Sequence, residues 1–145
     1  MHPSELQLAH IRHEPGYEGG LCYQVSADRD RFPSLIWGDP FVLLLSGALS
    51  LAHPRFDLYG VCEMPAQAWI GVARAAEETE DRLRAERSIP ADLLYRSGEL
   101  LADGEISRLL RSAAGRGRVF DALQLTSFWL REAAGQHPTL TFFGA

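Results

Sequence analysis

The chain has 145 residues, 46% of them hydrophobic, and a formal net charge of −5. A domain of this length buries roughly two-thirds of its unfolded surface without disulfides or metal, and Cys22 and Cys62, the only two cysteines, have no spacing that suggests a disulfide framework or a thiolate cage. All 14 basic residues are Arg, and the lack of Lys excludes P-loop, protein-kinase and Schiff-base chemistry.

Residues 5–13 alternate Leu6 and Leu8 with Gln7 and Ala9, and residues 21–27 alternate Leu21, Tyr23 and Val25 with Cys22 and Gln24. Period two predicts two strands, each with one covered face. The intervening Pro15-Gly-Tyr-Glu-Gly-Gly20 supplies the backbone freedom for a reversal, so the pair is expected as a hairpin. Asp28-Arg-Asp-Arg31 follows as a solvated loop, and Trp37, beside Gly38 in a Pro-flanked stretch, is expected at the surface.

Asp39-Pro40 marks a helix start, because Asp caps free amides and Pro at the first helical position loses no needed hydrogen bond. Phe41, Leu44, Leu45, Ala48, Leu49 and Ala52 recur at helical spacing, with Leu43 and Leu51 widening the stripe, so a core helix is expected over 40–53 with Pro54 ending it. Residues 56–62 place Phe56, Leu58, Gly60 and Cys62 on one face and Tyr59 and Val61 on the other. Apolar groups on both faces predict an interior strand.

Pro65 opens a helix expected over 65–87, whose first half buries Ala66, Trp69, Ile70 and Ala73. Its second half, from Glu77 to Arg87, is almost wholly polar and is expected in solvent, with Glu78–Arg82, Glu80–Arg84 and Arg82–Glu86 pairing at i,i+4. Residues 88–104 read as a short helix and loop, with a hairpin as the competing pattern. A helix over 105–114 carries Ile106, Leu109 and Leu110, Gly115-Arg-Gly-Arg118 breaks it, and a last helix over 119–134 carries Val119, Leu123, Thr126, Leu130 and Ala133. Phe128 and Trp129 flank that stripe, and Gly135 ends the helix. Thr139 to Phe143 closes the chain as a buried strand. The order β-β-α-β-α-α-α-β predicts one α+β domain over 1–145, a small and mostly antiparallel sheet backed by helices.

The first residues lack the basic start and apolar run of a secretory signal, and the longest apolar run, Phe41 to Leu45, falls far short of the ~20 residues that span a membrane. A reducing, cytoplasmic setting is expected. Basic residues that are all Arg, together with no Asn, fit the codon bias of a GC-rich bacterial genome.

His10 and His13 stand three apart in a strand and so point to opposite faces, which argues against joint metal ligation. Cys62-Glu63 ahead of Pro65 at a helix start is the best place for a nucleophile, since a helix N-terminus lowers a thiol pKa; a core thiol is the competing reading. Gly115-Arg-Gly-Arg118 leading into a helix is either an anion site built on Arg116 and Arg118 or a solvated turn.

Residues 56–105 hold eleven acids and five Arg, whereas residues 106–145 hold two acids and five Arg. An acidic chain without a basic tract is a poor nucleic-acid binder, because phosphate neutralisation dominates that affinity; a basic protein partner suits it better. The expected function is a small protein-binding module, in its specific form an immunity protein neutralising a basic toxin, with Glu77, Glu78, Glu80, Asp81 and Trp37 meeting the partner. No cofactor, metal, nucleic acid or membrane is called for. The alternative is a small-ligand domain or an enzyme using Cys62 and Glu63 with a His, or an anion site at Arg116 and Arg118.

Overall fold

A computed structural model of the chain describes residues 8–13, 22–27, 33–86 and 105–144. The elements are β1 (Ala9–Arg12), β2 (Cys22–Ser26), β3 (Ser34–Gly38), α1 (Asp39–Ala52), β4 (Val61–Pro65), α2 (Ala66–Ala85), α3 (Glu105–Leu109), α4 (Ala113–Gln136) and β5 (Thr139–Phe143). The expected turn at 15–20, loop at 28–31 and segment at 88–104 lie outside the described residues.

The five strands form one antiparallel sheet in the order β1-β3-β2-β5-β4, and helices back it, so the fold is α+β. Because successive side chains alternate between faces, the register sorts the strands into transverse rows. Ile11, Leu35, Val25, Phe142 and Cys62 form one row across all five strands on the helix side. His10, Ile36, Gln24, Phe143 and Val61 form the neighbouring row on the outer side. The helix-side row joins one apolar core with Phe41, Leu45 and Leu49 of α1, Trp69, Val72 and Leu83 of α2, and Val119, Leu123 and Leu130 of α4.

Two buried indoles tie the helices to the sheet. Trp69 donates its Nε1–H to the carbonyl of Leu140 at 2.9 Å, and Trp37 donates its own to Thr126 Oγ1 at 3.0 Å. Each fills core volume while its one polar atom is satisfied, which is the condition for burying Trp without penalty. Tyr23 and Phe142 stack with centroids 5.8 Å apart, and Phe56 meets Phe142 edge-on at 4.8 Å.

Strands β1 and β2 do not pair with each other: β3 lies between them, bonded to both. Trp37 belongs to β3 and is fully buried rather than superficial, because its indole sits between the sheet and α4. The strand expected over 56–62 runs instead over Val61–Pro65 and forms the sheet edge, with Val61, Glu63 and Pro65 exposed. Asp39 does not cap α1. Gly38 occupies the cap position with no side-chain bond, and the Asp39 carboxylate accepts from the Tyr23 hydroxyl at 2.9 Å. Leu51 stands 89% exposed, off the stripe it was expected to widen.

The expected break at Gly115-Arg-Gly-Arg118 is continuous helix. Ser112 caps α4 by accepting the amide of Gly115 at 3.0 Å. A Cβ on Gly115 would lie 2.1 Å from the Leu109 carbonyl oxygen, so glycine stands there to let α4 start against the end of α3. No helix among the described residues is long and apolar enough to cross a membrane.

Candidate interaction surface

The acids of α2 fall into two sets by their distance from the face that packs on α4: Glu77 and Glu80 are half-buried at its margin, whereas Glu78 and Asp81 are exposed. Thr79 and Leu83 in its second half are buried, so that half lies along α4 rather than in solvent. Glu77 faces the seam: its carboxylate accepts two hydrogen bonds from the Arg131 guanidinium, each 2.7 Å, and a short one from the Ser127 hydroxyl. These donors hold its pKa down at about 2. Glu80 accepts from Gln124 and from Arg84, both at 2.8 Å. The two helices run antiparallel, since contacts on α4 move from Arg131 to Gln124 to Arg116 as those on α2 move from Glu77 to Glu80 to Leu83.

Glu78 and Asp81 occupy the opposite side of α2, both exposed, and they make no hydrogen bond or ion pair among the described residues. Of the four carboxylates expected to meet a partner, the described residues therefore engage two, Glu77 and Glu80, and leave Glu78 and Asp81 without a bond. The sequence missed this division because it read the charge run without knowing which face α4 would cover.

The far end of the seam accounts for Arg116. Its Nη2 donates to the Leu83 carbonyl at 2.9 Å, and its guanidinium lies 5.5 Å from the Phe120 ring centre, with that of Arg84 at 4.1 Å. Both contacts are favourable cation–π geometry. Arg118, half-buried two residues on in the same helix and so on a different face, makes contacts of its own. The two do not form an open anion cradle, because the segment is helix and not a turn.

Cys62 and Glu63 are separated by the sheet itself. Neighbours in a strand point to opposite faces, so Cys62 is buried beside Phe142 on the helix side while Glu63 is exposed on the other. Burial pushes the Cys62 thiol above its ordinary pKa, away from thiolate. Among the described residues, no three His, Cys, Asp or Glu side chains approach closely enough to hold a metal ion.

The sequence also missed the β4 edge as a surface. Tyr59 is 74% exposed and Val61 62% exposed, and Glu63 follows them with no partner among the described residues. An Asx turn holds Tyr59 in place, its amide donating to Asp57 Oδ1 at 2.9 Å. The available signal was a charge and a proline within one five-residue strand, Glu63 and Pro65, a pairing typical of edges. No family model, curated protein or solved structure matches the chain.

Proposed function

We propose that this domain is a small protein-binding module of the bacterial cytoplasm that holds a basic protein partner, in its specific form an immunity protein that neutralises a basic toxin. The observation that carries the reading is the division of the α2 acids. Glu77 pairs with Arg131 and Glu80 with Arg84, whereas Glu78 and Asp81 are exposed and make no hydrogen bond or ion pair among the described residues. Exposed carboxylates of this kind contribute little to a monomer, but they steer a basic partner and favour it over acidic competitors. Overall acidity of −5 acts in the same direction.

Neither the small-ligand or enzyme site at Cys62 and Glu63 nor the anion site at Arg116 and Arg118 has comparable support. Cys62 and Glu63 point to opposite sides of the sheet, and Arg116 is already bonded to the Leu83 carbonyl.

The test is affinity capture by the wild-type chain and by the double variant Glu78→Arg/Asp81→Arg, followed by a high-salt wash. Stoichiometric recovery of one basic protein that salt releases and the double variant fails to hold is the expected result. Recovery of no protein by the folded wild type overturns the reading. Equal recovery by both variants removes α2 from the interface.

A further inference from the structure

The ladder between β4 and β5 fixes which backbone groups of β4 face away from β5. Two hydrogen bonds continue that ladder beyond both of its ends: Gly144 N–H to the Gly60 carbonyl at 2.7 Å, and Ala66 N–H to the Pro138 carbonyl at 2.9 Å. Both obey the register that pairs Cys62 with Phe142 and Met64 with Leu140. In an antiparallel pair the bonded positions alternate with unbonded ones. Residues 60, 62, 64 and 66 therefore direct their backbone towards β5, and Val61 and Glu63 direct their N–H and C=O groups away from the sheet. Pro65 offers a carbonyl but no N–H, so pairing on this edge ends there.

The residues with outward-facing backbone are the ones with exposed side chains: Val61, Glu63 and Pro65. We propose that β4 accepts an added strand from a basic protein partner, with an Arg or Lys opposite Glu63 and a β-branched or aromatic residue opposite Val61. The inference rests on the protein-binding reading above and supplies its docking mode. In the antiparallel orientation that the whole sheet uses, the partner segment reads basic–x–apolar from its N-terminus, and the next alternate residue reaches Tyr59. Four backbone hydrogen bonds to Val61 and Glu63 give such strand addition its affinity, and the side chains on the outer face give it selectivity.

A second copy of this chain fits the edge less well. Only the odd-numbered residues carry outward backbone groups, so self-pairing sets Glu63 either against its own copy or against Val61. The first opposes like charges and the second leaves both carboxylates without a counter-ion. The edge thus rejects its own kind and favours a basic strand.

The test titrates the ¹⁵N-labelled full chain with a synthetic peptide, Thr-Arg-Thr-Val-Thr-Tyr, and with the same peptide carrying Glu in place of Arg. The expected result is that the Arg peptide shifts the Val61 and Glu63 amides and slows their exchange, and binds about fivefold more tightly than the Glu peptide, the worth of one favourable cross-strand charge pair. Glu63→Arg, an exposed change that leaves the core intact, is expected to reverse the preference. The inference is overturned if neither peptide shifts these amides at millimolar concentration, if the two peptides bind equally, or if the shifts map to Glu78 and Asp81. Edge-amide shifts that follow protein concentration without peptide also overturn it, in favour of a second copy. Should wild type and Glu63→Arg capture the same basic protein equally, the edge is excluded and the protein-binding reading stands; should the wild type capture none, that reading falls by itself.

Discussion

The α2–α4 seam and the free edge of β4 both carry carboxylates and treat them in opposite ways. In the seam, Glu77 has Arg131 and Ser127, and Glu80 has Gln124 and Arg84. At the edge, Glu63 has no partner among the described residues and stands beside exposed Val61. Charge that serves the fold and charge left available to a partner are therefore indistinguishable by residue type. They differ only in what the neighbouring element brings within hydrogen-bond distance.

The comparison implies that seam substitutions disturb stability and edge substitutions do not. The largest effect is expected just beyond the seam, from Gly115→Ala at the start of α4, where the new Cβ overlaps the Leu109 backbone at the end of α3. A loss of roughly 4 kcal/mol or more, or failure to fold, is expected in urea denaturation; wild-type stability would show that α3 and α4 do not meet so closely. Leu83→Ala comes next. This residue lies in the polar half of α2 yet is fully buried, so a cost of about 3 kcal/mol is expected. A change below about 0.5 kcal/mol, the range of surface positions, would return that half of the helix to solvent.

Glu77→Gln is expected to cost less, about 1 kcal/mol at neutral pH, because the pair with Arg131 is half exposed and water screens it. The sign of its pH dependence follows from the lowered pKa. A carboxylate whose pKa is lower folded than unfolded stabilises the native state fully above its ordinary value near 4.5, and the contribution is lost as the pH falls towards about 2. The gap between wild type and variant should therefore close over that interval in pH-resolved thermal melts, and a gap constant with pH would remove the ion pair as its cause. The smallest effect is expected from Glu63→Gln at the edge, within about 0.5 kcal/mol of wild type. A larger destabilisation there would mean that Glu63 is engaged in the fold as Glu77 is.

The elements of this chain were more legible than their neighbours. Strand β5 was readable over Thr139–Phe143 because a short apolar run after a helix end has few alternatives, and its position between β2 and β4 explains why it is covered. The start of α2 beside Pro65 and the core stripe of α1 were readable from helical spacing. Strand β3 was not, since Leu35, Ile36 and Trp37 are buried on both faces and give no alternation, while Pro33, Gly38 and Pro40 around them suggest a loop. Missing β3 also gave β1 the wrong partner. Of the candidate surface, the exposed acids Glu78 and Asp81 were named from sequence; Val61 and Glu63 as a free edge were not.

By itself, the sequence determined the class of the fold, most of its helices and strands, and which side of most of them is apolar. These depend on side-chain periodicity and backbone stereochemistry, which are local properties. Only the tertiary structure decided that β3 separates β1 from β2, that α4 covers one face of the α2 charge run, and that β4 ends the sheet among the described residues, with the backbone of Val61 and Glu63 directed outward. Periodicity fixes which face of an element is buried but not which element buries it. That choice is made by contacts between residues far apart in the chain, as between Glu77 and Arg131 or Trp37 and Thr126.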